Sequence, residues 1–209
     1  MKTFAPRTVS VPERPNTQLS RDFLELSFQM ESGRPLPVFT RFEGPVTVRV
    51  IGDIPSSLVP DLDRLILRLR DEAGIDVSRV ARDSAANITI HAIPRKTLQR
   101  VVPHAACFVV PNAEGWTDFK QKRRTRLLDW TRLETRTQVA IFLPSDVSPQ
   151  ETRDCLHEEL AQALGPLNDL YRLPGSVFND DNFHRVLTEF DMLMLQVTYA
   201  PELYSGMSP

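Results

Sequence analysis

Apolar residues recur along this chain with two periods. Strand-like runs, alternating or rich in β-branched residues, are VTVRVIG (46–52), ANITIHAI (86–93), ACFVVP (106–111) and TQVAIFLP (137–144). A helical period runs through 56–74, where Leu58, Leu62, Leu65, Ile66 and Leu69 share one face and Gly74 supplies the stop. Residues 21–33 form a shorter amphipathic segment through Phe23, Leu24 and Phe28, ended by Gly33 and Pro35. DFKQKRRTRLLDWTRLE, between the third and fourth strands, reads as a helix that is basic in its first half. Residues 148–165 open with a capping box: Ser148 caps, Pro149 takes the first helical position, Glu151 reaches back, and Gly165 closes the helix. Leu156, Leu160, Ala163 and Leu164 give that helix a core-facing side. An irregular stretch, PLNDLYRLPGSVFNDDN, leads to a terminal helix in FHRVLTEFDMLMLQVTYA. No internal repeat or low-complexity block interrupts this order, which predicts one α+β domain over 21–209. Residues 1–20, with Pro6, Pro12 and Pro15, read as an extended arm.

Composition narrows the function classes. The chain has 209 residues, a net charge of −2, 41% hydrophobic and 25% charged residues, which are the proportions of a globular domain. The charge balance gives no general attraction to nucleic acid or an anionic membrane, and no apolar run is long enough to span a bilayer. The basic run KQKRRTR (120–126) lacks interleaved aromatics, so it reads as a solvated helix face or a contact for an acidic partner, with no nucleic acid expected. The first twenty residues lack the apolar core of a signal peptide. The chain is therefore expected to be cytoplasmic, or else a mature or truncated form of a periplasmic or secreted protein. Cys107 and Cys155 are either a disulfide or two buried thiols. Pairing, which would pin the 148–165 helix to the preceding sheet region, is the favoured reading.

The chemistry concentrates in HEELAQALGPLND (157–169). Read from His157, a zinc site of the form H-E-x-x-H fails, because Ala161 stands at the second ligand position. Shifted by one residue, Glu158, Glu159, Gln162, Gly165 and Asn168 fall on the spacing H-E-x-x-H-x-x-G-x-x-H. In this register the segment resembles the metzincin metallopeptidases with all three histidine positions replaced. The downstream SVFNDDN is similar to the turn that passes beneath the metal in that superfamily, with Phe178 in place of a methionine. LTEFDMLMLQVTY then resembles its terminal helix. The chain also resembles an uncharacterised bacterial family, a domain of unknown function, that carries E-E-x-x-Q-A-L-G-x-x-N-D and a phenylalanine turn. These resemblances imply a zincin-like, metzincin-type domain with a twisted mixed sheet, an active-site-like helix and a C-terminal helix.

On that resemblance Glu158, Gln162 and Asn168 stand at the ligand positions, Glu159 at the catalytic glutamate, and Gly165 at the turn. One carboxylate and two amides suit a hard cation better than zinc, so no metal or cofactor is expected. A divalent ion, if bound, would use those three residues, with Asp169, Asp180 and Asp181 adding charge. The three residues are also able to hydrogen-bond one another where a metal once sat. Read without the resemblance, the acid pair is a solvated helix face and Gln162 an ordinary surface residue. His157 points about 100° away from Glu158 around the helix, and His184, His91 and His104 read as ordinary histidines. Trp116 and Trp130 read as core or groove-wall residues. No G-x-S-x-G elbow or phosphate-binding glycine loop is present. Three functional expectations follow: a non-catalytic pseudo-peptidase binding a peptide or protein in its cleft, a metal-dependent hydrolase with Glu159 as general base, and a structural assembly protein joining acidic and basic surfaces.

Overall fold

The structure, a computed structural model, describes residues 14–179 and 184–209. Five strands form one sheet: β1 (Val46–Gly52), β2 (Val77–Arg79), β3 (Ile88–Ile93), β4 (Phe108–Pro111) and β5 (Val139–Pro144). Their order is β2-β1-β3-β5-β4, parallel throughout except for β4, which runs antiparallel to β5 at one edge. The helices are α1 (Asn16–Phe28), α2 (Leu58–Ala73), α3 (Arg95–Gln99), α4 (Trp116–Lys122), α5 (Pro149–Leu164) and α6 (Glu189–Thr198). The mixed α+β class is as the sequence predicts.

Period-two alternation sorts the sheet's side chains onto two apolar faces. Val139, Ile141 and Leu143 of β5 join the main core with α2, α5 and α6, while Ala140 and Phe142 point into a smaller cluster with Trp116 and Phe119. Phe142 lies 4.9 Å from Phe108, 5.2 Å from Phe119 and 5.3 Å from Trp116, centroid to centroid. Trp116 is thus a core residue, as expected. The α2 face is the predicted one: Leu58, Leu62, Leu65, Ile66 and Leu69 are all buried, and Gly74 ends the helix at φ 68° with its N–H bonded to Leu69. α5 is buried on more than its leucine side, because it packs against β5, β4 and α2 together.

Several boundaries move. The first helix starts at Asn16 and ends at Phe28, so residues 16–20 leave the expected arm, and Gln29 to Gly33 become a turn. Residues 1–13 of that arm, and Asp180 and Asp181, lie outside the described residues. The basic segment is not one long helix: α4 stops at Lys122, and two single 3-10 turns follow at Arg126–Leu128 and Trp130–Arg132. Thr125 and Asp129 cause this by capping those turns with their side chains, offering the backbone an alternative to helix. Ser148 caps α5 as predicted, accepting from the Glu151 N–H at 3.2 Å. The Glu151 carboxylate, however, pairs with Arg95 of α3. The capping box appears instead on α6, where Thr188 and Asp191 bond reciprocally.

Candidate functional site

Residues three and four apart on a helix share a face, and on α5 that rule aligns Cys155, Glu158, Glu159 and Gln162. They lie on the side away from Leu156, Leu160, Ala163 and Leu164, which are fully buried in the core. Facing this stripe is the start of β4. Cys107 is joined to Cys155 by a disulfide with a Cα–Cα distance of 5.9 Å, across 48 residues of sequence. The expected pairing is therefore present, and it clamps the edge strand to the helix.

Between helix and strand runs a cleft of about 310 Å³. Glu158, Glu159 and Gln162 form one wall, Ala106 to Val109 the opposite one, and Met30, Glu31, Ser32, Trp130 and Leu167 close it. Trp130 is thus the groove-wall residue expected. The N-terminal part of the closure is built by a tight turn after α1: Met30 N–H bonds to the Arg34 carbonyl, and Gly33, at φ 75°, donates to the Met30 carbonyl. That turn is tied to the chain leaving α5. Glu31 N–H donates to the Leu167 carbonyl at 3.1 Å, and Leu167 N–H donates to the Leu26 carbonyl at 2.9 Å.

Glu159 is only 5% exposed although it faces the cleft. Its Oε2 meets no hydrogen-bond donor among the described residues. Burial pushes its carboxyl well above the usual carboxylate range, and the neighbouring Glu158, Glu31 and Asp169 charges push it further. Gln162 is equally buried and donates from Nε2 to Glu31 Oε1 at 2.6 Å. The solvated-face reading is therefore corrected for Glu159 and Gln162.

Asn168 does not share the cleft with Glu158 and Gln162. It is buried, and its Nδ2 donates at 3.1 Å to the Glu25 carbonyl of α1. Its neighbour Asp169 lies nearer to α5: single carboxylate oxygens of Glu31, Glu158 and Asp169 lie within 4.8 Å of one another. The expected trio of Glu158, Gln162 and Asn168 is replaced in space by Glu31, Glu158 and Asp169, with Gln162 bonded to the first. The groove also differs in its walls. Phe178 is fully buried in the core below, where its carbonyl accepts from Leu170 N–H at 2.9 Å, and it does not line the cleft. The phenylalanine turn supports the loop from beneath, held to α6 by Asp191, which accepts from Ser176 Oγ at 2.5 Å.

The sharp turn at Gly165 has a steric cause. A Cβ there would lie 2.8 Å from Cγ2 of Thr198, a fully buried residue of α6. The carbonyls left open at this helix end are satisfied by a residue the sequence did not single out. Buried Arg136 donates to Gln162 at 2.5 Å, to Ala163 at 2.8 Å and to Gly165, with its guanidinium 4.9 Å over the Trp130 ring. Tyr199 Oη donates to the Leu164 carbonyl at 3.1 Å. Burial lowers the Arg136 pKa to about 10, which leaves it charged at neutral pH, favourably placed at the negative end of the helix.

The histidines fall elsewhere. His157 is buried on the far side of α5, where Nδ1 accepts from Leu187 N–H at 3.1 Å and burial lowers its pKa to about 4. His184 bonds to the Pro174 carbonyl, His104 is exposed, and His91 accepts from Trp116 N–H. Glu31 was missed because nothing periodic links it to α5; its partner Gln162 is 131 residues away. The available signal was Gly33, a residue able to reverse the chain directly after a helix.

Among curated proteins, none matches the chain. Residues 16–209 match the family described as Protein of unknown function (DUF2927), a span that includes both walls of the cleft, and the chain belongs to that family.

Proposed function

We propose that the domain is a zincin-like fold of metzincin type whose cleft docks an extended peptide or protein segment without cleaving it. One observation carries this reading: an antiparallel edge strand, β4, runs along the cleft opposite the α5 residues that stand at the catalytic and ligand positions. β4 is the last strand of the sheet order, so its outer edge offers backbone groups to an added strand. Phe108, Val109, Trp130 and Leu167 add apolar surface for alternate side chains. The E-E-x-x-Q-x-x-G-x-x-N spacing supports the fold assignment, and Gly165 and Phe178 support the chain around it.

The donors around the cleft do not suit hydrolytic chemistry. Asn168 is turned toward α1, Gln162 is engaged with Glu31, and among the described residues no imidazole lines the cleft. The disulfide favours an oxidising compartment, periplasmic or extracellular.

Hydrogen exchange on the full chain, with and without a peptide selected from a random library, tests the docking mode. Protection of amides in 108–110 on binding is the expected result. Protection confined to other surfaces, with the β4 amides unchanged, overturns it.

A further inference from the structure

The net charge of −2 hides a concentration of positive charge on one side of the sheet. Residues 95–128, which run from α3 through β4 and α4 to the first 3-10 turn, carry eight Lys and Arg against two Asp and Glu. α3, α4 and that turn cover the sheet face that presents Ala140 and Phe142, with Leu98, Trp116, Phe119 and Leu128 packed onto it. Two of the cations are engaged, Arg95 with Glu151 and Lys122 with Asp118. Lys96, Arg100, Lys120, Arg123, Arg124 and Arg126 are exposed, and none has an ion pair or side-chain hydrogen bond among the described residues. Elsewhere Arg14, Arg34, Arg68, Arg79 and Arg172 are each held by a carboxylate. A second observation concerns the turn Arg126–Leu128, which holds an apolar side chain out among these cations. Thr125 caps it, Asn112 Nδ2 donates to the Leu127 carbonyl at 2.9 Å, and Leu128 anchors it in the aromatic cluster. Leu127 itself is 56% exposed.

We propose that this surface binds the anionic face of a lipid bilayer, with Arg123, Arg124 and Arg126 among the phosphates and Leu127 seated at the boundary of headgroups and acyl chains. Cations without a protein partner gain from a negative surface and give up no ion pair to reach it, and an apolar side chain fixed among them adds burial. A bilayer demands neither a matching shape nor pre-ordered hydrogen bonds, and these side chains make none. Other anionic partners fit less well. Single-stranded nucleic acid stacks on exposed aromatics, whereas Trp116 and Phe119 of this layer are buried and Phe108 packs on Phe142. Protein interfaces centre on aromatic or aliphatic anchors with charge at the rim, whereas here a single leucine stands among charges. This inference goes beyond the peptide-docking reading and does not depend on it.

Flotation of the full chain with vesicles of phosphatidylcholine alone, or of equal parts phosphatidylcholine and phosphatidylglycerol, tests it. The expected result is binding to the anionic vesicles only at about 0.1 M NaCl, and release at about 1 M, where the Debye length falls to about 3 Å. Each cation at such a surface strengthens partition by about fivefold, so Arg123→Gln, Arg124→Gln and Arg126→Gln together should weaken binding by about a hundredfold. Lysine at the same three positions should preserve it, because a bilayer reads charge, whereas bidentate recognition by a protein would be lost. Leu127→Ser should weaken binding by about tenfold or more. All four side chains are exposed, so every variant should melt with the parent, which separates a lost contact from misfolding. No binding to anionic vesicles at low salt, equal binding to phosphatidylcholine, or binding that the glutamine or serine variants leave unchanged overturns the proposal. So does loss of binding in the lysine variant, or displacement from vesicles by polyglutamate or an oligonucleotide at matched charge, which reassigns the surface to a protein or a nucleic acid.

Discussion

Individual residues here have roles set by what a few atoms allow. Gly165 is required because Thr198 occupies the space a side chain would need. Gly165→Ala is expected to destabilise by about 1–3 kcal/mol through overpacking. Thr198→Ser in the same chain removes the obstructing methyl and should recover part of the loss in urea unfolding. Arg136 satisfies three carbonyls at the end of α5 from a fully buried position. Arg136→Met strands those acceptors and should cost ~3 kcal/mol, read as a lower urea midpoint at unchanged slope. His91 gives a pH dependence of known sign. Burial, aided by Arg82 and Arg49 and opposed by Asp53, lowers its pKa below the ordinary 6.5, and its ring accepts the Trp116 N–H. The unfolded chain therefore takes up a proton near pH 6.5 that the folded chain resists, so this contribution is present above that pH and lost as pH falls below it. His91→Phe should abolish that part of the decline between pH 7 and 5. Gly165 and the acid pair were legible because spacing exposes them. Arg136 and Glu31 were not, since an isolated charged residue in a loop carries no sign of burial or of its distant partners.

At the level of elements, periodicity placed four strands and the helices α2, α5 and α6 within a few residues. Where it failed, short-range capping or missing length was responsible. The basic segment broke into α4 and two turns because Thr125 and Asp129 bond to their own backbone. β2 has three residues and α3 five, too few to show a period. The element pair that matters most is α5 and β4, joined by the disulfide. Reducing it, or replacing both cysteines with serine, should lower stability by about 4 kcal/mol in the chain-entropy estimate for a loop of this length. The loss should fall unevenly: amide exchange in 108–110 should quicken more than in β3, which is flanked by parallel partners on both sides.

The whole molecule places an acidic helix face, an edge strand and a turn from the N-terminal region around one cleft. The α+β class was legible from the order of periodic segments. The cleft was half legible: the α5 wall was visible in its spacing, whereas the opposite wall and the closing turn depend on how distant segments meet. Belonging to DUF2927 accounts for the shared chain without assigning an activity, and fold alone does not assign one either. The central claim is that this cleft holds a peptide and leaves it whole. Affinity-selection mass spectrometry of a random peptide library on the full chain, alongside Ser32→Trp, which plugs the cleft from an exposed position, addresses it directly. The account predicts peptides enriched by the parent chain, recovered intact, and lost with the plugged variant. Cleaved peptides, or enrichment that Ser32→Trp leaves unaltered, would contradict it.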